Sequence, residues 1–231
     1  MTIQFPRGRP PADSRSTSPR LETYYDRRAT EYEKIYQKPE RQHELDWLRR
    51  RIPDLLRDRT VLEVACGTGY WTQFIARSAR KVHACDINES VLEIAREKPI
   101  PPVRVSFFRA DAITLAGVPA GCDAAFAGFW WSHVRKSELV KFVANLAAKV
   151  EPGARVVILD NSYAEGSSTA ISRRDAEGNT YQMRALANGE EYEVLKNFPT
   201  AAELADAVRP VAAKAHLESL KYYWLMVAEL R

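Results

Sequence analysis

No stretch of this 231-residue chain approaches the roughly 18 consecutive apolar residues that would cross a bilayer, so no membrane span is expected. The N-terminus has no apolar h-region, and no secretory signal is expected. Cysteine is scarce. Cys66, Cys85 and Cys122 are odd in number and their spacing matches no metal motif. No metal site is therefore expected, and a reducing cytoplasm is the simplest setting. Basic charge is also scarce once the start of the chain is set aside. The formal net charge is +4, and within residues 1–20 Arg7, Arg9, Arg15 and Arg20 face only Asp13. The remainder is close to neutral, which argues against a nucleic-acid partner. Internal repeats are absent as well.

What is present is enough apolar residue, 45% of the chain, to bury one sizeable core. Residues 1–19, rich in Pro, Arg and Ser, read as a disordered tail, and residues 20–231 as one domain. Its first part, 20–57, is helical. Residues 20–36 carry Tyr24, Tyr25, Tyr32 and Tyr36, and 39–57 carry Leu45, Leu48, Ile52 and Leu55 at helical spacing. Strands are then expected at Thr60–Ala65, Lys81–Cys85, Val103–Arg109, Ala124–Phe129 and Arg155–Asp160. Helices alternate with them at Tyr70–Ala79, Glu89–Lys98 and Glu138–Val150. That alternation predicts an α/β fold, a doubly wound, mostly parallel sheet with helices on both faces. Thr180–Lys196 reads as an inserted β-hairpin turning at Asn188-Gly189. A helix at Thr200–Val208 and an antiparallel pair, Ala212–Ser219 with Tyr222–Glu229, complete seven strands.

The densest chemical signal is Val61-Leu62-Glu63-Val64-Ala65-Cys66-Gly67-Thr68-Gly69-Tyr70-Trp71-Thr72, a strand, a glycine turn and a helix start. Ligands of open parallel sheets sit beside such turns. Glycine permits close backbone approach, and a helix N-terminus offers free N–H groups to a carboxylate. A dinucleotide fingerprint fails in both registers, because Thr72 stands where one needs glycine and Ala65 and Tyr70 stand where the other does. An NAD oxidoreductase is thereby demoted to an alternative. Asp86 ends the second strand, 17 residues past Gly69, where a carboxylate can accept two ribose hydroxyls. Arg109-Ala110-Asp111-Ala112 follows the third strand, and Phe126-Ala127-Gly128-Phe129 ends the fourth.

Glu63 followed by Ala65-Cys66-Gly67-Thr68-Gly69 resembles motif I of the class I S-adenosylmethionine-dependent methyltransferases, with alanine in place of the usual first glycine. The resemblance is firm over roughly residues 58–160, and it implies the Rossmann-like methyltransferase fold with 58–163 as the cofactor-binding core. By it, Glu63, Ala65, Gly67 and Gly69 line the methionine part of S-adenosylmethionine, and Asp86 with Ile87 takes the ribose. Asp111 and the Ala112 amide read the adenine, and Phe129 lies under the transferring methyl. The product would be S-adenosylhomocysteine. In this family an N-terminal helix covers the site, so 20–57 is expected to be a lid. That brings in Tyr25 and, from the turn after motif I, Trp71, whose rings attract a sulfonium.

The acceptor is expected to be a small molecule. The fourth-strand end reads Gly128-Phe129-Trp130-Trp131-Ser132, not the Asn/Asp-Pro-Pro-aromatic signature of enzymes that methylate amino groups of nucleic acids. No Pro-Cys nucleophile is present. His133 is the candidate base, with helix-start hydrogen bonding as its alternative role, and Tyr32 and Trp130 are candidate substrate contacts. In the hairpin, a three-residue loop Ala187-Asn188-Gly189 would put Arg184 and Lys196 on one face. A two-residue loop would oppose Arg184 to Glu193 instead. The first arrangement makes Arg184 and Lys196 an anion clamp and 180–196 a substrate hairpin. Tyr24, Tyr25, Arg28, Ala29, the Gly-Thr-Gly-Tyr-Trp-Thr run, Trp130, His133, Val134 and this hairpin resemble small-molecule O-methyltransferases of natural-product pathways, including a phosphonate type. The resulting expectation is methyl transfer to an oxygen of a small phosphonate or carboxylate by a monomer or homodimer. Methylation of an amine or phenol, and a non-catalytic cofactor-binding subunit, stand as alternatives.

Overall fold

The computed structural model describes residues 19–231. The tail expected over 1–19 lies outside these apart from Pro19. Helix α1 (Pro19–Arg28) continues as a 3-10 helix over Ala29–Gln37, and α2 spans Gln42–Leu55. The single helix expected over 20–36 thus tightens its winding at Arg28. The tightened segment carries a chain of edge-on ring contacts, Tyr25 to Tyr32 at 5.8 Å and Tyr32 to Tyr36 at 6.2 Å.

From Thr60 the chain alternates. Strand β1 (Thr60–Val64) leads to α3 (Thr72–Ile75), then β2 (Lys81–Asp86), α4 (Glu89–Arg96), β3 (Val105–Arg109) and β4 (Cys122–Gly128). Helix α5 (Leu139–Ala147) and β5 (Val150–Asn161) follow, and a short β6 (Arg173–Arg174) precedes the hairpin β7 (Thr180–Ala185) and β8 (Glu191–Leu195). Helix α6 (Ala201–Val208) starts in a reciprocal capping box between Thr200 and Glu203, and β9 (Ala212–Ser219) and β10 (Tyr223–Leu230) end the fold.

Seven strands form the main sheet in the order β3-β2-β1-β4-β5-β10-β9. β10 alone runs against both of its neighbours. The doubly wound, mostly parallel sheet is the expected one, and strand order reverses between β1 and β4, where such sheets bind ligands. Both faces are covered, so the central strands are apolar on both sides. Leu62, Val64, Ala125, Ala127 and Ile158 pack toward α5 and α6. Their neighbours Val61, Ala124, Phe126, Val157 and Leu159 pack toward α2 and α3. The hairpin and β6 form a separate three-stranded sheet.

Several boundaries differ from expectation, each for a tertiary reason. The helix expected over Tyr70–Ala79 shrinks to the four residues of α3, because Tyr70 is instead stacked on Tyr36, with ring centroids 3.6 Å apart and 6° between planes. The helix-terminus argument for a ligand carboxylate falls with it, since so short a helix has little dipole. β4 stops at Gly128, and Phe129 turns to φ +59° as its amide bonds the Leu159 carbonyl at 2.7 Å. β5 starts earlier than expected, at Val150, with the register against β4 shifting between Cys122 and Ala124.

The motif I glycines have different jobs. Gly69 sits at φ +73°, and a Cβ there would stand 3.0 Å from the Ala95 Cβ on α4. Gly67, at φ +55°, faces open space. The left-handed conformation alone costs an L-residue about 1–2 kcal/mol, and overpacking adds about 1–3 kcal/mol. Gly69→Ala is therefore expected to lower unfolding free energy in urea clearly more than Gly67→Ala. Equal losses would show that the contact with α4 carries nothing.

Candidate active site

Four adjacent parallel strands, β2, β1, β4 and β3, deliver their carboxyl ends to one edge. The turns that leave them line a cleft of about 640 Å³, its open mouth included. Its floor is Ala65 and Gly67 after β1, Asp86 and Ile87 at the end of β2, Ala112 after β3, and Gly128 and Phe129 at the end of β4. Helix α1 closes it from above with Leu21, Glu22 and Tyr25, and Asn88 Nδ2 donates to the Glu22 carbonyl. The expected lid is thus in contact with the strand ends it was expected to cover. Ala65 and Phe129 are two non-glycine residues held at positive φ, +52° and +59°, a conformation that costs energy and recurs at functional sites.

Asp86 ties this floor together. Its Oδ2 accepts from the Gly67 amide at 2.9 Å and its Oδ1 from the Asn88 amide at 3.0 Å. Burial pushes its carboxyl above the ordinary range, and these amides pull it back. Each oxygen keeps a lone pair for a further donor. Glu63 lies behind the floor, 1% exposed, with Oε2 lacking any hydrogen-bond partner. Burial pushes it up to about 8, with the Thr72 hydroxyl acting weakly the other way. A buried carboxyl that a nearby cation would ionise, behind an open glycine and beside an acceptor-rich Asp86, fits a cationic, ribose-bearing ligand.

Not every expected cofactor contact reaches the cleft. Asp111 stands outside its wall, where Oδ1 accepts from the Ile113 and Thr114 amides at 2.8 Å each. That is a turn-forming role, and Ala112 alone of the pair reaches the wall. Trp71 is also set back, 4% exposed within a cluster with Tyr36, Tyr70, Phe74, Phe126 and Phe129. It supports Phe129 from behind and does not line the cleft. Gly69 belongs to the α4 contact described above. Trp130 and Tyr32 do line the cleft.

A second cleft, about 1190 Å³ with its mouth, joins the first at Tyr25, Tyr32, Phe129 and His133, which line both. At this junction the Tyr25 hydroxyl stands 2.7 Å from His133 Nε2, and His133 Nδ1 stands 2.6 Å from the Leu195 carbonyl. A carbonyl can only accept, so Nδ1 carries the proton and Nε2 accepts from Tyr25. Burial, with Lys196 and Arg184 nearby, holds His133 well below its ordinary value, and the ring is neutral. Burial likewise raises the Tyr25 phenol.

The second cleft is lined by Arg28, Lys38, Arg41, Arg184 and Lys196, with no carboxylate in its wall. The hairpin explains how Arg184 arrives there. Leu186 and Glu190 bond across the three-residue loop Ala187-Asn188-Gly189, and Arg184 pairs with Tyr192 and Thr180 with Lys196. Arg184 and Lys196 therefore share a face, and Glu193 pairs with Arg173 instead. Arg184 gives one N–H to Gln182 Oε1 at 2.8 Å, and its Nε has no partner.

Lys196 has a different situation from the free clamp residue expected. Its buried ammonium bonds Ser132 Oγ at 2.6 Å and Asp160 Oδ1 at 2.9 Å. Asp160 also accepts from the Ser132 and Asn161 amides. Burial raises the Asp160 carboxyl, but Lys196 and these amides outweigh it and keep it ionised. Lys196 borders the cleft as half of an ion pair. Of the other residues absent from the expected site, Arg28 follows the tyrosine pair quoted above, whereas Lys38 and Arg41 carry no local sequence signal at all.

Two outcomes follow. Between about pH 4.5 and 8 the unfolded chain has released the Glu63 proton while the native chain keeps it, so this residue's contribution to stability falls as pH rises through that window. Glu63→Gln should lose that slope, so the melting temperature of the variant should rise relative to the parent as pH increases; a difference constant from pH 5 to 8 would contradict it. Lys196→Met leaves Asp160 buried and uncompensated, and should cost about 3–5 kcal/mol in urea unfolding, with the Asp160→Leu/Lys196→Met double variant recovering much of the loss.

Residues 61–153 match the sequence family described as "Methyltransferase domain". Demethylmenaquinone methyltransferase of Clavibacter sepedonicus is 32% identical over 102 residues, 44% of this chain and 41% of that protein. Its counterpart in Staphylococcus aureus is 28% identical over 126 residues, 52% and 51% of the two chains. The chain thus spans about half the length of the curated relatives it matches. Among solved structures, the DhpI complex with SAH superposes with a TM-score of 0.76 at 22% identity, covering 94% of this chain and 98% of that one. A DhpI-SAM-HEP complex gives 0.74 at 24% identity, covering 92% and 99%. The amino pentose methyltransferase CalS10 from Micromonospora echinaspora gives 0.61 at 19% identity, covering 87% and 96%. Residues 61–153 thus match a methyltransferase domain, and the fold of the chain is the one seen in S-adenosylmethionine-dependent methyltransferases.

Proposed function

We propose that this protein transfers a methyl group from S-adenosylmethionine to an oxygen of a small phosphonate or carboxylate. The observation that carries this reading is the second cleft, with five cationic side chains, no carboxylate in its wall and four lining residues shared with the cofactor cleft. When bound, the cofactor supplies an electrophilic methyl on a sulfonium. Ala65, Gly67, Asp86, Ile87, Ala112 and Phe129 would hold it, and Glu63 is the buried carboxyl whose ionisation its positive charge would favour.

The chain's own contribution is alignment, which is worth roughly 7–11 kcal/mol for a well-oriented displacement. Arg184 offers a planar fork to an oxyanion from the hairpin face, and Arg28, over the Tyr32 ring at 5.7 Å, adds charge beside it. Tyr25 stands where the two clefts meet, with its hydroxyl fixed by His133. An ionised acceptor oxygen needs no base, and His133 then serves to orient Tyr25. A protonated acceptor bonded to the Tyr25 oxygen would be one hydrogen bond from His133 Nε2, which is neutral and able to take the proton. An amine acceptor is disfavoured because a cation would enter a cleft already holding uncompensated positive charge.

The test is methyl transfer from isotopically labelled S-adenosylmethionine to a panel of phosphonates, carboxylates, phenols and amines. Transfer to acids is expected. Arg184→Ala should lower kcat/KM for them by about 10–100-fold, the value of a charge-assisted hydrogen bond to an oxyanion. Transfer only to phenols or amines, unaffected by Arg184→Ala, would discard this reading. Cofactor binding without transfer to any acceptor would favour a non-catalytic subunit.

A further inference from the structure

We propose that the acceptor carries a second anionic group, bound by Arg41 and Lys38 at the end of the second cleft away from the methyl donor. This rests on the anion reading above and extends it from one charged group to two.

Arg41 is 6% exposed, yet no carboxylate stands within ion-pair distance of it among the described residues. Its guanidinium is held by neutral acceptors, Nε on Ser167 Oγ at 2.9 Å and Nη1 on Asn161 Oδ1 at 3.1 Å. It lies over the rings of Tyr222 and Tyr223 at 5.1 and 5.6 Å. Of its five N–H donors these bonds take two, and a further one meets the Tyr223 hydroxyl. The neighbouring carboxylate, Glu40, is exposed and accepts from Ser167 Oγ at 2.7 Å. Lys38 gives one N–H to the Ser167 carbonyl, and two remain. Ser167 thus fixes both cations by their rear donors while both line the cleft. This is how a preformed anion site is built: donors oriented by neutral groups, with the counter-charge left to the ligand.

The two ends of the cleft are distinct. Tyr25, Tyr32, Phe129 and His133 also line the cofactor cleft, whereas Lys38, Arg41, Asn161 and Ser167, like Arg28 and Arg184, line the second cleft alone. Arg28 lies over Tyr32, and the Arg184 partner Tyr192 touches Tyr24, so these two arginines serve the junction end. One small oxyanion held there leaves Arg41 and Lys38 uncompensated, and a cleft of about 1190 Å³ has room for far more. An acid at each end of one short chain satisfies both sets. It also fixes which acid is methylated, because only the group at the junction faces the methyl donor.

Dissociation constants for methylphosphonate, phosphonoacetate, 3-phosphonopropionate and 4-phosphonobutyrate, measured by calorimetry with saturating S-adenosylhomocysteine, test this. One spacing should bind at least ~10-fold more tightly than methylphosphonate. Arg41→Met, and independently the part-exposed Lys38→Gln, should pull that ratio toward one. If methylphosphonate binds but no spacing improves on it, or the ratio survives both substitutions, the second site is wrong and the anion reading stands. If the parent protein binds none of the four, the anion reading itself fails and takes this inference with it.

Discussion

The Lys196 ammonium is buried against Asp160 and Ser132, and the arrangement of the second cleft depends on this ion pair. It joins the end of β8, the end of β5 and the turn after β4, three segments far apart in sequence. Around it, Asn197 bonds the Ser132 carbonyl through its amide and the Val134 carbonyl through its side chain, while its Oδ1 accepts from Thr180. The hairpin is thereby fixed to the main sheet at its root. That root sets which face of β7 looks inward and brings Arg184 to the cleft. It also presents the Leu195 carbonyl to His133, which decides the tautomer of that ring and so the direction of the Tyr25 hydrogen bond. A buried ion pair contributes little net stability compared with apolar packing. Its value here is register, because an unpaired end of either group would be costly.

The second constraint is aromatic. Tyr36 stacks on Tyr70 and meets Trp71 and Phe129 edge-on. The lid, the turn after β1 and the end of β4 thus share one cluster. Phe129 is held at positive φ between this cluster and the Leu159 carbonyl, and it forms part of the wall of both clefts. The cofactor side is therefore rigid where strands end, and the acceptor side is assembled from the lid, the loop carrying Ser167 and the hairpin.

The motif-bearing half of the site could be read without coordinates. Strand, glycine turn and strand-end acid are local features, and a parallel sheet brings its carboxyl ends together whatever the details. Ala65, Gly67, Asp86, Ile87, Ala112 and Phe129 all reach the cleft. Asp111 and Trp71 were assigned by the same pattern and do not. A pattern cannot tell an acid that turns back on its own amides from one that points at a ligand, or a ring in the wall from the ring behind it. The hairpin left two registers open, and hydrogen bonding between Leu186 and Glu190 selects the three-residue loop.

By itself, then, the sequence determined the doubly wound sheet, because hydrophobic periodicity and turn residues act over a few neighbours. It also pointed to the turns that line the first cleft, because those turns follow strand ends in order. Only the tertiary structure decided the charge of the second cleft. Arg184 and Lys196 form a candidate clamp in sequence under one of two registers, whereas Lys38 and Arg41 are ordinary surface-type residues there. Their ionic role depends on burial and on where carboxylates are absent, and both are properties of packing between segments distant in the chain.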